Sequence, residues 1–286
     1  MKMRSRLVLM AFCCTVGLVP GCGTAPDHER DQVGENAAPA TNDGESHLLA
    51  AALAVVDDPL RPAEDRARDA DRKPGEVLGF FGIGKGMRVV DLQAATGYYT
   101  ELLSAVVGPE GEVIAQNNDF VVTRFADGPL NERLARIDAA GRKNITRLNA
   151  ELDKMELPDG LDAAIFVRFY HDLFWLPTPD GGLTDRAEFL RRVYDALAPG
   201  GIFGVIDHHA EAGSGDRDAV DSREGLHRID AELVMAEILA AGFVLDLESD
   251  LLSDPGDTRD WNIFADDAAR RDKTDRFVWR FVKPVE

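Results

Sequence analysis

From residue 88 onward, short apolar runs alternate with segments whose apolar positions recur every three or four residues. Arg88 to Leu92 (RVVDL) is one such run and predicts a strand. Tyr98 to Val107 follows with Leu102, Leu103 and Val106 on one side and stops at Gly108-Pro109, the pattern of a helix. Val113 to Ala115 predicts the next strand, Asn131 to Ala140 a helix, and Ile145 to Leu148 a third strand. Ala163 to Val167 (AAIFV) is apolar throughout, as suits a strand buried on both faces of a sheet. Asp185 and Glu188 form a capping box ahead of Phe189, Val193 and Leu197, which share one helix face. Pro199-Gly200-Gly201 ends that helix, and Ile202 to Ile206 is the fifth strand. Asp230 caps a further helix carrying Val234, Ile238 and Ala241 and closed by Gly242; Phe243 to Leu247 and Arg276 to Val282 are the last strands. Such alternation predicts an α/β fold, a doubly wound sheet with right-handed crossovers. Ligands bind these sheets at the carboxyl ends of the strands, near the point where strand order reverses.

The region before residue 75 reads differently. Lys2, Arg4 and Arg6 precede an uncharged run from Leu7 to Val19 and then Pro20-Gly21-Cys22, the layout of a secretory signal. The run has 13 residues, too few for the roughly 20 that span a bilayer. Val19-Pro20-Gly21-Cys22 resembles a bacterial lipobox, which implies cleavage before Cys22, acylation of that cysteine and an exported, envelope-tethered product. Pro20 departs from the usual residue there and leaves cleavage by an ordinary signal peptidase open. Residues 1–21 are thus a signal, 22–46 a flexible polar tether, 47–74 an N-terminal helical extension, and 75–286 the sheet domain. Cys13, Cys14 and Cys22 are the chain's three cysteines, so the domain has no internal disulfide and its stability comes from its core.

The net charge of -19 repels phosphate backbones and anionic headgroups, so no nucleic-acid partner is expected and membrane contact only through the anchor. The acid concentrates in residues 245–275, read as a solvated face.

The turns at the strand ends are Gln93-Ala94-Ala95-Thr96-Gly97, Gln116-Asn117, Asn149-Ala150-Glu151, Arg168-Phe169-Tyr170-His171-Asp172 and Asp207-His208-His209. A nicotinamide-binding domain needs Gly-x-Gly-x-x-Gly after strand one, which Gln93 to Tyr98 lacks. Asp91-Leu92 leading into Thr96-Gly97, LPDGLD (157–162) and LAPGG (197–201) instead resemble a class I S-adenosylmethionine-dependent methyltransferase, over roughly residues 75–283. DRARDADRKPGEVLGFFGI (65–83), YHD (170–172), HRID (227–230) and TDRFVWRFVKP (274–284) are similar to a group of predicted methyltransferases with export signals.

The resemblance implies a Rossmann-like seven-stranded sheet of order 3-2-1-4-5-7-6 with the last strand antiparallel, and S-adenosylmethionine as cofactor. Gly97 is what remains of a Gly-x-Gly-x-Gly turn in which Gln93 and Ala95 replace the first two glycines. A left-handed non-glycine residue costs about 1–2 kcal/mol, so Ala95 is tolerated in this turn if its φ stays negative, whereas Gln93 puts a side chain where ligand is expected. Asp91 orders the loop or meets the ligand amine, Asn117 takes the place of the ribose-binding acid, and Glu151 or Asn149 lies on the adenine side. Arg168 joins the cofactor-binding set. Each has a structural reading beside this one: Asp91 as a cap, Asn117 as a turn residue, Gln93 as a loop residue.

Chemistry is expected at the mouths of strands four and five. His171 and Asp172 adjoin the implied sulfonium position, where a neutral imidazole accepts a proton from a hydroxyl or amine; the plain alternative is an imidazole serving nearby backbone. Tyr170 is expected against the methyl group or the acceptor. Asp207, His208 and His209 add further donors, but no His-x-x-x-His or comparable spacing supports a metal, and none is expected. His227 and Arg228, before a helix start, read as structural. Pro62 to Lys73, with Glu64 and Arg68 four apart, reads as a salt-bridged helix. By resemblance it is also a lid over the cofactor mouth, with Arg72 or Lys73 meeting an anionic group. The expected function is an exported methyltransferase acting on oxygen or nitrogen of a small or envelope-associated acceptor. The alternative is a non-catalytic lipoprotein of the same fold that binds a ligand or a protein partner.

Overall fold

The computed structural model describes residues 42–175, 182–220, 225–264, 270 and 272–285. The expected signal, Cys22 and most of the tether lie outside the described residues. Seven strands form one sheet: β1 (Arg88–Leu92), β2 (Glu112–Asn117), β3 (Ile145–Asn149), β4 (Leu161–Val167), β5 (Leu197–His208), β6 (Val244–Ser249) and β7 (Arg276–Val282). Their order is β3-β2-β1-β4-β5-β7-β6, parallel from β3 to β5, with β7 antiparallel to both of its neighbours. This is the topology implied by the resemblance. Alternate residues of each strand face opposite sides, so Val89 and Val90 enter different cores.

The helices are α1 (Asn42–Val56), α2 (Ala63–Arg66), α3 (Asp69–Arg72), α4 (Pro74–Phe80), α5 (Tyr98–Val107), α6 (Asp119–Val121), α7 (Asp127–Ala139), α8 (Arg186–Ala196), α9 (Arg217–Val220) and α10 (Ala231–Ala240). On one face of the sheet Val89, Val113 and Ile165 pack with Leu78 of α4 and Leu102 of α5; on the other, Val90 and Phe166 pack with Phe189 of α8 and Val234 of α10. The expected caps form: Asp185 and Asp230 side chains accept backbone N–H groups of Glu188 and Glu232.

Four features differ from the sequence pattern. α1 starts at Asn42, so the boundary expected at residue 46/47 falls inside a helix. It belongs to the core: a Cβ on Gly79 of α4 would stand 2.8 Å from Leu49 Cδ1, so only glycine lets α1 come this close. Pro199-Gly200-Gly201 is not a loop after a helix. It is extended chain at the start of β5, where the β4–β5 register jumps from Leu161/Leu197 to Ala163/Ile202 and Gly200 and Gly201 bond to Lys283, the residue after β7. α7 begins four residues before the apolar pattern, after a π-turn over Val122–Ala126.

Finally, the late acidic segment is not only a solvated face. Asp257 is buried in a bidentate pair with Arg228 at 2.8 and 3.1 Å, Asp275 pairs with Arg259, and Asp272 gathers three arginines. Buried carboxylates of this kind persist only when paired.

Candidate functional site

The turn after β1 keeps the shape that glycines would give it, without the glycines. Gln93 and Ala95 both lie in the left-handed region, at φ 50° and 52°, so Ala95 is accommodated by a route other than a negative φ. Side-chain amides from β2 hold them there. Gln116 Oε1 accepts the Gln93 N–H at 3.0 Å, and Asn117 Oδ1 accepts the Ala95 N–H at 2.8 Å while its Nδ2 donates to the Ala95 carbonyl at 3.2 Å. Gln93 in turn accepts the Asn118 N–H at 3.0 Å, so its side chain is drawn toward the end of β2. The strain of about 1–2 kcal/mol per residue is met by four hydrogen bonds.

Asn117 is therefore fully buried in the clamp and does not line the cavity described below; the neighbouring Asn118 does. Gly97 is likewise displaced from its expected role. It is the left-handed cap of α5, and a Cβ there would stand 2.8 Å from Leu130 and 2.9 Å from Arg133 of α7, so packing alone requires glycine.

Asp91, nearly buried at the end of β1, accepts the Thr100 hydroxyl at 2.6 Å. Burial pushes its carboxyl up to about 7 despite that hydrogen bond.

The segment expected as a lid is wired into this turn. Asp65 of α2 and Glu101 of α5 both receive Arg133, whose Nε donates to the Thr96 carbonyl at 2.7 Å. Asp69 of α3 takes a bidentate bond from Arg61 and the Tyr98 hydroxyl at 2.6 Å. Arg68 and Arg72 point into the cavity and meet Arg168 on the single carboxylate of Asp272. Those neighbours hold the Asp272 carboxyl far below its usual range, against the effect of burial. Arg168 is itself pushed down to about 10, first by burial and then by Arg72, and sits at φ 65°. Three guanidiniums on one carboxylate leave a surplus of positive charge facing the cavity. Lys73 is elsewhere, bonded to the Leu251 carbonyl.

At the mouth of β4 and β5 the expected residues separate into layers. Tyr170 is fully buried and its hydroxyl donates to Glu237 at 2.7 Å, so it belongs to the core rather than to a methyl or acceptor site. Asp207 Oδ1 receives the His171 ring at Nδ1 (2.8 Å) and the His208 N–H (2.7 Å), and Oδ2 receives the His171 N–H (2.8 Å). Burial works against a charge on His171, but Asp207 and Asp172 outweigh it and hold the imidazole above its ordinary value. His208 uses both nitrogens, accepting from Arg168 Nε at 3.0 Å and pairing with the Thr274 hydroxyl; burial and Arg168 keep it well below the usual histidine range.

His171 Nε2 and His227 Nδ1, by contrast, are buried and have no hydrogen-bond partner among the described residues. Each stands 3.4 Å from Asp172 Oδ1.

All these strand ends open on a cavity of about 560 Å3, within the roughly 300–1,000 Å3 of small-molecule sites. Asp91, Gln93, Ala95, Glu151 and Arg168 line it, as expected, and so do Asp172, His208 and His227; His171 stands one layer behind. Glu151 reaches across to accept the Asp119 N–H at 3.1 Å. The apolar wall is Phe120, packed edge-on to Trp175 at 5.2 Å, with Phe264, whose ring lies 4.8 Å from His227. These aromatics carry no periodic signal in the sequence, since Phe120 sits in the three-residue α6 and Trp175 and Phe264 lie outside helices and strands. His227, expected as structural although the HRID motif carries it, lies on the cavity wall.

The sheet order, the antiparallel last strand and a cavity at the β1/β4 switch point define a Rossmann-like methyltransferase fold. No protein-family model matches the chain. A SAM dependent methyltransferase from Aquifex aeolicus superposes with a TM-score of 0.52 over 82% of this chain and 98% of its own, at 19% identity. The [4+2]-cyclase SpnF does so with a TM-score of 0.51 over 85% and 95%, at 18% identity. Likeness at these identities is of fold alone, and the fold is shared by a protein named for a different reaction.

In sequence, the ubiquinone/menaquinone biosynthesis C-methyltransferase UbiE of Pasteurella multocida is 30% identical over 129 residues, 44% of this chain and 41% of that one. UbiE of Edwardsiella ictaluri is 28% identical over 126 residues, 44% of each. The chain spans less than half the length of these curated relatives.

Proposed function

We propose that the chain is an S-adenosylmethionine-dependent methyltransferase acting on oxygen or nitrogen of a small, largely apolar acceptor. One observation carries the reading: a single cavity joins the β1 turn and Glu151 to the wall where Asp172 and His227 present their polar atoms. The cofactor takes the β1–β3 side. Its ammonium group meets Asp91, which gives up its proton to pair with it, and its carboxylate meets the arginines around Asp272. Glu151 serves the nucleoside end. The acceptor lies between Phe120, Trp175 and Phe264, with its O–H or N–H toward Asp172 and His227. The cofactor, when bound, would supply an electrophilic methyl group, and the Asp172–His227 pair would take the proton that the acceptor atom loses as it gains that methyl.

Partial sequence likeness to methyltransferases and the shared fold support this. Calorimetry of the chain with S-adenosylmethionine and S-adenosylhomocysteine tests it. Saturable binding of both is expected; no heat up to millimolar ligand overturns the reading. Binding without transfer to any oxygen or nitrogen acceptor would favour a ligand-binding protein of this fold.

The same reading holds that the protein is exported and anchored through an acylated Cys22, supported by the charge and apolar pattern of residues 2–22. Incorporation of labelled palmitate, lost in Cys22→Ser, is the expected result; labelling that survives the substitution removes the anchor.

A further inference from the structure

We infer that His171, Asp172 and His227 form a binding site for one divalent transition-metal cation of the zinc type, open to the cavity. The inference rests on geometry rather than on the methyl-transfer reading. Three side chains bring one donor atom each within 4.8 Å of one another: His171 Nε2, Asp172 Oδ1 and His227 Nδ1. Both imidazoles are more than nine-tenths buried, at 1% and 7% exposure, and the nitrogens that converge on Asp172 are the ones left without a hydrogen bond among the described residues. A buried donor or acceptor without a partner is destabilising, so two pointing at one carboxylate call for a common occupant.

The spacing suits a metal better than hydrogen bonds. At 3.4 Å, each imidazole nitrogen is long for a charge-assisted bond to Asp172. A tetrahedral ion with ligands at ~2.0–2.1 Å has ligand–ligand edges of about 3.3–3.4 Å. Two of the three edges therefore already have the required length. The far side of His171 completes the argument. Its Nδ1 is bonded to Asp207 at 2.8 Å, which fixes the tautomer with the proton on Nδ1 and leaves Nε2 as a lone-pair donor, the carboxylate–histidine–metal arrangement.

The other candidates in the cluster are ruled out by their own bonds. His208 has both nitrogens engaged, and Asp207 is fully buried under three donors. Arg168, the cation on the His208 side, is paired with Asp272.

Two imidazoles and one carboxylate select a first-row transition cation over magnesium or calcium, which prefer oxygen. The remaining coordination position faces the cavity, because Asp172 and His227 are on its wall. An acceptor oxygen bound there would be made more acidic by the ion, which would then replace the Asp172–His227 pair as the group that activates it.

The test uses the full chain, stripped with a chelator and titrated with Zn2+ against a chromophoric competitor, without S-adenosylmethionine. One equivalent is expected to bind tightly, and Mg2+ is expected not to displace it. Co2+ in the same site should give visible bands of tetrahedral intensity. His227→Gln and Asp172→Asn should each abolish the stoichiometric site and the Co2+ bands, while His209→Asn should change neither. Asp207→Asn, which keeps an acceptor for His171 but loses the charge, should weaken binding by roughly 10- to 100-fold. No tight equivalent in the parent chain overturns the inference. So does a site that persists in the Asp172→Asn/His227→Gln double variant, since the metal would then be held elsewhere. Circular dichroism separates loss of ligands from loss of fold, and His227→Gln, at the cavity wall, is the variant least costly to the core.

Discussion

Each half of the cavity holds two non-glycine residues in the left-handed region, Gln93 and Ala95 on one side and Arg168 and His227 on the other. Backbone strain is therefore comparable. What differs is how the neighbouring polar groups are treated. Around Gln93 and Ala95, Gln116 and Asn117 close every gap, and no cavity-lining side chain of this half has a buried nitrogen or oxygen without a partner among the described residues. Around His227 two buried imidazole nitrogens are left open. Strain that is fully answered fixes a shape; strain that ends at unanswered donors marks a place where something binds.

The largest effect should come from the second half. Asp207→Ala removes the acceptor of three buried donors and should lower stability by roughly 3 kcal/mol or more in denaturant unfolding. A loss under about 1 kcal/mol would mean that the His171 cluster is not organised by Asp207. Asn117→Ala opens the first half by taking two bonds from Ala95, with an expected loss of about 2 kcal/mol and weaker cofactor binding.

Asp91 gives the comparison a pH dependence. Its carboxyl stands at about 7 in the fold against 3.8 as a free side chain, so between those values the native state holds a proton that the unfolded chain has released. Its contribution to stability is complete below about pH 3.8, falls as pH rises through this window, and is gone above about 7. Asp91→Asn should therefore gain on the parent at pH 8 and not at pH 4, measured as the difference in unfolding free energy. An equal difference at both values would refute the burial effect. Because the ligand ammonium favours the ionised carboxyl, the parent should release a proton on binding S-adenosylmethionine near pH 6, seen as a dependence of the heat on buffer ionisation.

The smallest effect is Ala95→Gly. Glycine relieves the left-handed strain but adds freedom to the unfolded chain, so a net gain of up to about 1 kcal/mol is expected. A loss would show that the clamp, not the glycine-like turn, sets this backbone.

Much of the fold was legible because it is carried by local periodicity: β1, α5 and β7 have the ends that their apolar patterns predict. The exceptions are places where long-range pairing overrides a local signal. Pro199-Gly200-Gly201 reads as a stop, yet Lys283 pairs with it across the sheet. The site was legible only in part. Asp91, Glu151, Arg168 and Asp172 were found because strand ends point to a cavity by topology alone. His171 was placed in the right turn but one layer too far forward, and Tyr170 faces away from the cavity because the 3-10 turn after β4 rotates it into the core. His227 reaches Asp172 from a segment more than fifty residues downstream, a meeting that no spacing rule anticipates.

The carboxylate of Asp272 binds Arg68 from 204 residues earlier, Arg72 from 200 and Arg168 from 104. Three arginines that line the cavity are thus tied together by one residue far along the chain from all of them. Until Asp272 arrives three arginines face one another unneutralised, and β7, which must slide between β5 and β6, is also still missing. Contacts of such separation form slowly. Ligand competence should therefore appear late in refolding, after most of the helix content is regained, as read by the lag between far-ultraviolet circular dichroism and ligand binding.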